Sequence, residues 1–391
     1  MQHTVHSRSN MISASSASAA IAITTLWLCA VATTAITVST SKLGKVDWSF
    51  QQYLDYHGKS YNSKEEHLRR QTLFDRTKKS VLLQNKRYER KESTWWATLN
   101  YLSDLTEVEL SAMGAQQLPI SADMFSLSSK RHHEEKVTQS TYKSNNSTNP
   151  PSVTWVDVQS PIRNQGGCGS CWAFGTVEVL ESHLAIAENN TTPVVLAPQT
   201  LVDCAHNPKH CGGTGGCEGA TPDIGFNFTR NAGIALESNY PYTGKDGSCS
   251  KHTNTVTCSG FTKVISNSAQ AMETALAQVG PVAVTVSANW QTYGGGIFKD
   301  GCLSWLGSCT LDHVVVVVGY TAESWLIRNS WGATWGEQGY IRLSRKNDNV
   351  TYADDHPSQG TACEPFPKTQ NVMGEGGVLF AGVYPNDVAR S

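Results

Sequence analysis

The chain has 391 residues, of which 39% are hydrophobic and 16% are charged, a composition that excludes a highly charged disordered protein. A formal net charge of −2 argues against a dedicated nucleic-acid binder. The near-neutral total conceals an asymmetry, because residues 42–149 hold 17 Lys and Arg against 13 Asp and Glu, whereas residues 150–391 hold 13 against 20. Ten of the 11 cysteines follow residue 150. A basic, cysteine-free middle and an acidic, cysteine-rich end suggest two parts that bind each other.

Residues 1–41 form an almost uncharged N-terminal segment in which Arg8 is the one charged side chain. The stretch Ala19–Val38 is mostly apolar, and Ala30-Val31-Ala32 offers a small-x-small cleavage site. This pattern predicts a secretory signal peptide. The uncharged stretch is also long enough to span a bilayer, so a signal anchor is the alternative. We expect contact with a membrane only if this segment stays uncleaved.

A secretory route makes the ten downstream cysteines candidates for disulfide bonds. On this route the N-x-[ST] sequons can be glycosylated, so they predict a glycoprotein. The expected destination is a lysosome, a vacuole or the extracellular space. The sequons begin at Asn145, Asn146, Asn189, Asn190, Asn227 and Asn349.

Residues 60–90 contain neither Gly nor Pro and are rich in Glu, Lys, Arg, Leu and Gln, which predicts a long helix. Six of its residues follow each other at spacings of 4, 4, 3, 4 and 4 and therefore share one face. An ordinary amphipathic helix would show the same spacing. Residues 121–149 are rich in Ser, Thr, Asn and Lys, which predicts an exposed linker open to proteolysis. The shared face consists of Glu66, Arg70, Phe74, Thr77, Val81 and Asn85.

The stretch 165–174 carries the clearest chemical signal of the chain. It reads Gln-Gly-Gly-Cys-Gly-Ser-Cys-Trp-Ala-Phe, a Gly-rich turn that leads into an apolar-periodic segment. Cys171 is therefore expected at a helix N-terminus, where the positive end of the helix favours the nucleophilic thiolate. The alternative for Cys171 is a structural disulfide.

A thiolate nucleophile needs a base, and the base needs an orienting partner. His313 opens an apolar run, Val314–Val318, that predicts a β-strand. As an imidazolium beside the thiolate, it would lower the pKa of the cysteine and later protonate the leaving amine. The sequence Asn-Ser-Trp-Gly, which begins at Asn329, follows 16 residues after His313.

These motifs resemble those of papain-like cysteine peptidases, closest to the cathepsin L-like group. The six-residue helix face resembles the ERFNIN motif of their prosegments, with Thr77 and Val81 as departures. Residues 100–106 resemble the second prosegment motif, with Leu102 in place of an aromatic residue. The resemblance covers roughly residues 45–105 and 150–385. It implies an α+β, two-lobed fold preceded by a mainly helical prodomain.

The implied organisation is a signal segment (1–41), an inhibitory prosegment with its linker (42–149) and a mature peptidase (150–391). Within the last part, the resemblance puts a helical lobe at roughly 160–262 and a β-barrel lobe at roughly 263–385. It assigns Cys171 as nucleophile, His313 as base, Asn329 as orienting residue and Gln165 as donor to the oxyanion, together with the Cys171 N–H.

The resemblance also implies a substrate cleft between the lobes. Residues 217–222 resemble the loop that pairs with an extended substrate, but Ala220 replaces a glycine and is tolerable only if φ is negative there. An apolar pocket predicts a hydrophobic P2 residue, and the lack of an insertion typical of dipeptidyl-peptidase forms predicts an endopeptidase. The implied substrate-binding residues are Gly219, Ala220, Pro222, Val314, Trp335 and Ala381.

With Cys171 as nucleophile, nine cysteines remain after residue 150, an odd number. The resemblance pairs Cys168 with Cys217 and Cys204 with Cys249. It also pairs Cys302 with Cys363, although Gly376 occupies the usual place of that partner. Cys211–Cys258 is then the expected extra bridge, with Cys309 free. The spacing of one set of residues is also compatible with a zinc site, namely Cys204, His206, His210, Cys211 and Cys217. An oxidising compartment favours bridges there, so we expect no metal and no cofactor.

The sequence thus predicts a cysteine endopeptidase, made as a secreted zymogen, that hydrolyses peptide bonds through a Cys171 thioacyl intermediate. Its expected partners are polypeptide substrates and its own prosegment as intramolecular inhibitor, and we expect a monomer that binds no nucleic acid. One alternative is a non-enzymatic binder that keeps the fold. Another is a transpeptidase that passes the same intermediate to an amine.

Overall fold

A computed structural model describes residues 46–114, 149–302 and 309–391. The predicted signal segment and most of the predicted linker, with the sequons at Asn145 and Asn146, lie outside the described residues. The helices are α1 Phe50–His57, α2 Lys64–Glu89, α3 Glu107–Ser111, α4 Cys171–Ala187, α5 Pro198–Cys204, α6 Pro222–Ala232 and α7 Ala269–Gln278. In the part of the chain that the structure describes, none of the helices is long and apolar enough to cross a membrane.

Thirteen strands are present in the described ranges. They are β1 Trp95–Ala97, β2 Val153–Thr154, β3 Val256–Thr257, β4 Gly260–Lys263, β5 Val282–Val286, β6 Tyr293–Phe298, β7 His313–Tyr320, β8 Ser324–Arg328, β9 Tyr340–Ser344, β10 Thr351–Asp354, β11 Gln370–Met373, β12 Val383–Asn386 and β13 Ala389–Arg390. The main sheet has the order β1-β6-β9-β8-β7-β5-β12-β4, with β2 paired to β7. The pairs β10–β11 and β13–β3 form two small sheets.

The long helix α2 covers most of the stretch predicted as helical. Ser63 caps its N-terminus by accepting a hydrogen bond from the Glu66 N–H, and Glu65 and Glu66 lie in the first turn, where acidic side chains are favourable. The side chains of Arg70, Phe74, Thr77, Val81 and Asn85 are buried. The six-residue face is therefore the face that packs.

The central strands β5 and β7 are buried on both faces, which explains why the run Val314–Val318 is continuously apolar rather than alternating. Val315 and Val317 pack into a core that also contains residues of α1, α2 and β1. Val314, Val316 and Val318 face the opposite way, into a core shared with α4. One strand thus joins the residues before 115 to the helix that begins at Cys171.

Four disulfide bonds are present among the described residues. Two are those that the resemblance implied, Cys168–Cys217 and Cys204–Cys249. The other two differ from expectation and are Cys211–Cys363 and Cys302–Cys309.

The expected bridges Cys302–Cys363 and Cys211–Cys258 are therefore wrong, as is the expectation that Cys309 is free. The physical reason lies in the chain path: Cys302 closes a short loop with Cys309, while the segment with Cys363 extends away to Cys211. Cys258 is buried as a free thiol, 4% exposed.

Candidate active site

Cys171 is the first residue of α4 and is buried. Its thiol lies close to the backbone N–H groups of Cys171, Trp172 and Val314, which favour the thiolate. Burial has the opposite and larger effect and, together with the charge of Asp312, raises the pKa of the thiol to about 11. In this covered state the cysteine is a neutral thiol, because desolvation outweighs the helix N-terminus.

His313 is the first residue of β7 and has no solvent exposure. Its Nε2 lies 2.8 Å from Oδ1 of Asn329 and donates a hydrogen bond to it. The ring packs on Trp331, with 4.9 Å between ring centroids. Burial lowers the pKa of His313 to about 4, against the opposing effect of the Asn329 hydrogen bond. The other ring nitrogen, Nδ1, has no hydrogen-bond partner among the described residues.

Gln165 is fully buried and held at both ends of its amide. Its Oε1 accepts a 2.6 Å hydrogen bond from Ser330 Oγ, and its Nε2 donates to the Cys168 carbonyl at 3.0 Å. The Gln165 backbone N–H also donates to the Ser330 carbonyl at 2.9 Å. Ser330 follows Asn329 directly, so one short segment positions both Gln165 and His313. Sequence reasoning missed this role of Ser330, although the Asn-Ser-Trp-Gly motif contains it.

The four predicted catalytic residues come together from distant parts of the chain. Val314 links two of them, because its side chain packs against Gly175 of α4 and its backbone N–H reaches the Cys171 thiol. The structure therefore joins the start of α4 to the start of β7. A cysteine, a histidine with one free nitrogen and an oriented amide can together perform nucleophilic attack on a carbonyl carbon.

Residues 112–114, immediately after α3, cover this site. The Met113 carbonyl oxygen lies 3.5 Å from Gln165 Nε2 and accepts a 3.3 Å hydrogen bond from the Trp331 indole N–H. Gly114 has φ +72°, and a Cβ there would be 2.7 Å from His313 Nδ1. The backbone therefore passes so closely over the histidine that a glycine is required.

The strand β1 fastens this covering segment to the sheet. It pairs antiparallel with β6, and the Trp96 ring lies over Gly294 and Gly295. The predicted helix-face residue Asn85 holds β1 from behind, because its side chain bonds both the N–H and the carbonyl of Ala97 at 2.8 and 2.9 Å. One residue of the face that resembles a prosegment motif thus holds the strand that precedes the covering segment.

Asp104, in the second predicted prosegment motif, is the buried centre of a polar cluster. It accepts hydrogen bonds from the hydroxyls of Tyr53 and Tyr61 and forms an ion pair with Lys59. Sequence reasoning missed the three partners, since only tertiary packing brings α1 and the residues that follow it beside the chain that leads into α3.

The predicted substrate-binding residues do not all line one surface. Ala220 is buried and is not among the residues with positive φ, so its methyl group is tolerated. Pro222 begins α6, and Gly219 lies in the loop before it. Ala381 is half-buried two residues before β12. Trp335 is fully buried behind Trp331, with 5.1 Å between ring centroids, and supports that ring rather than facing the cleft.

The set of side chains considered for zinc is largely committed to other bonds. Cys204, Cys211 and Cys217 are all in disulfides. Within the ranges described, no group of three or more His, Cys, Asp or Glu side chains could hold a metal ion.

Comparison with known proteins gives two family matches. Residues 149–361 match the papain family of cysteine proteases, and residues 50–110 match the cathepsin propeptide inhibitor domain. A cathepsin L-like proteinase of Phaedon cochleariae is 36% identical over 303 residues, 75% of this chain and 87% of the relative. Digestive cysteine proteinase 2 of Homarus americanus is 32% identical over 344 residues, 84% of this chain and 95% of the relative.

Among solved structures, digestive procathepsin L 3 of the Tenebrio molitor larval midgut is similar, with a TM-score of 0.65 and 28% identity over 86% of this chain and 97% of that one. The expected α+β, papain-like fold behind a helical prodomain is confirmed. Residues 50–110, which lead into the segment that covers the site, are an intramolecular inhibitor domain, so the chain is a zymogen. The chain belongs to the papain family of cysteine proteases.

Proposed function

We propose that Cys171 is the nucleophile of this protease and that His313, Asn329 and Gln165 serve it as base, orienting residue and oxyanion donor. His313 Nδ1 takes the thiol proton, and the sulfur attacks the carbonyl carbon of the scissile bond. The Gln165 amide and the Cys171 N–H stabilise the oxyanion. The histidine then gives its proton to the leaving amine, and water hydrolyses the thioacyl intermediate.

One observation carries this proposal: the inhibitor segment lies directly on two of these four residues, Gln165 and His313. Met113 is next to Gln165, and Gly114 is next to the only nitrogen of His313 that could accept a proton from a thiol. A segment whose task is to block the protease is expected to cover the groups that perform the reaction.

We further propose the organisation in which residues 1–41 direct secretion, 42–149 form the prosegment with its linker and 150–391 form the mature enzyme. Cleavage near residues 140–150 releases a monomer in a lysosome, a vacuole or the extracellular space, without a cofactor. Pro222, Val314 and Ala381 predict an apolar P2 preference. An enzyme whose pocket beside Val314 is accessible to a P2 side chain would act as an endopeptidase.

An epoxide that alkylates active-site thiols tests the assignment of the nucleophile. After acid activation, we expect one adduct, at Cys171, and complete loss of peptide hydrolysis. Cys258 offers a matched internal control, because it is a buried free thiol outside the site. No adduct at Cys171, or full activity after its modification, would refute the proposal. Product analysis with and without an added amine separates hydrolysis from transpeptidation.

A further inference from the structure

A segment between β10 and β11, residues 357–364, crosses from the sheet to the helical side of the molecule, and we call it the strap. Its far end is fastened to the helical side by the Cys211–Cys363 disulfide. The Gly212 N–H also donates a 2.9 Å hydrogen bond to the Ala362 carbonyl. The strap is therefore covalently tied down only a few residues before the loop 217–222, which was expected to pair with substrate.

The middle of the strap lies on the residues that precede His313. A Cβ on Gly360 would overlap the carbonyl oxygen of Leu311 and lie 3.0 Å from the Asp312 Cα. The φ of Gly360 is −168°, a value that any residue adopts, so the requirement here is for space. Backbone packs directly on backbone, and only a glycine fits.

Gly360 also lies against neighbours of the residues that were expected to form the P2 pocket. Its carbonyl lies 3.5 Å from the Thr285 hydroxyl, which donates a hydrogen bond to it. Thr285 pairs with Val314 across β5 and β7, and directly paired residues project on the same face of a sheet. On the opposite side, Gly212 packs against both Gly360 and the Thr221 methyl group. The strap thus lies between the two walls of the expected pocket.

We propose that the strap gives this enzyme aminopeptidase activity: while it is in place, the acyl side of the cleft holds a single residue, the first of a peptide. This inference rests on the proposed function of Cys171. An extended peptide must place its P2 residue where Gly360 lies, so a chain that continues beyond P1 collides with the strap. Because the strap is tethered, it competes with that residue at a high effective concentration.

The charge at this end of the cleft suits a substrate with a free N-terminus. The Asp312 carboxylate lies close enough to Cys171 to raise the pKa of its thiol. A substrate whose P1 residue is its first residue carries an α-ammonium group beside the scissile carbonyl. This group brings a positive charge to the Asp312 carboxylate and to the carbonyl oxygens of Leu311 and Gly360. A peptide with an acylated N-terminus brings no such charge.

Two fluorogenic substrates, assayed with the mature enzyme, test the proposal. Both carry the fluorogenic amide on the same P1 residue. One has a free α-amino group on P1, and the other has an N-acetylated phenylalanine added at P2. We expect the wild type to prefer the free amine. We expect the double variant Cys211→Ser/Cys363→Ser, and independently Gly360→Val, to raise kcat/KM for the blocked substrate by at least roughly 10- to 200-fold, the range that a single methylene in a hydrophobic pocket supplies. Gln359→Ala, at an exposed strap position, is the matched control and should match the wild type.

Other results would overturn the inference. One is that the strap variants leave kcat/KM for the blocked substrate unchanged. The other is that the wild type releases dipeptides rather than single residues from a peptide with a free N-terminus. Epoxide labelling of Cys171 checks that every variant retains a folded site. If neither amide is hydrolysed and Cys171 is not labelled even in the wild type, the proposed function itself fails, and this outcome is distinct from the other two.

Discussion

The buried His313 predicts how strongly acid opens the zymogen. In the covered state burial holds its pKa at about 4, against an ordinary value of 6.5. The covered form therefore binds a proton less well than the open form. A neutral His313 therefore stabilises the covered form relative to the open form. This stabilisation is complete above pH 6.5 and is lost as the pH falls toward 4. The full difference corresponds to about 3 kcal/mol, of which about 2 kcal/mol, or roughly 25-fold in the open population, is reached at pH 5.

The perturbation that removes this effect is His313→Gln, which keeps a polar side chain but cannot titrate. Both it and its parent carry Cys171→Ala, so that neither zymogen processes itself. Active enzyme is added, and the rate of prosegment cleavage is measured between pH 7 and pH 5. We expect the parent to accelerate about 25-fold more than His313→Gln over this range. The ratio of the two rates cancels the pH dependence of the added enzyme.

His206→Phe in the same Cys171→Ala background is the control, because His206 is exposed on the helical side. Its cleavage should follow that of the parent at every pH. A ratio between parent and His313→Gln that stays constant from pH 7 to pH 5 would refute the reasoning. It would show that protonation of His313 is not coupled to removal of the segment that contains Gly114.

Three further outcomes are expected. Gly114→Ala should weaken inhibition by the prosegment, since the strain of a non-glycine at φ +72° costs about 1–3 kcal/mol, and the zymogen should be cleaved faster at pH 6 than its parent. Gln165→Ala should lower kcat of the mature enzyme by roughly 10²–10³ while epoxide labelling persists, and an unchanged kcat would remove Gln165 from the oxyanion site. The denatured, unreduced mature chain should label at two thiols in peptide mapping, Cys171 and Cys258, and a label on Cys309 would contradict the observed pairing.

Sequence alone identified the family of this protein and much of its local structure. A Gly-rich turn before an apolar-periodic run placed Cys171 at a helix start, and a run of five valines predicted the strand after His313. The helix-face pattern contained Asn85, which bonds β1. These inferences succeed because each depends on residue identity and on spacing within one segment, where the period of a helix or strand decides which side chains share a face.

Only the tertiary structure decided the features that depend on which distant segments meet. The partner of Cys363 follows from where the strap reaches, so counting cysteines could not identify Cys211. Likewise, the helix N-terminus predicts a low pKa for Cys171, but burial of the thiol in the folded chain has the larger effect and reverses the direction. Burial and contact between residues far apart in sequence result from packing the whole chain, and packing decides both the charge state of a site and the space left for its substrate.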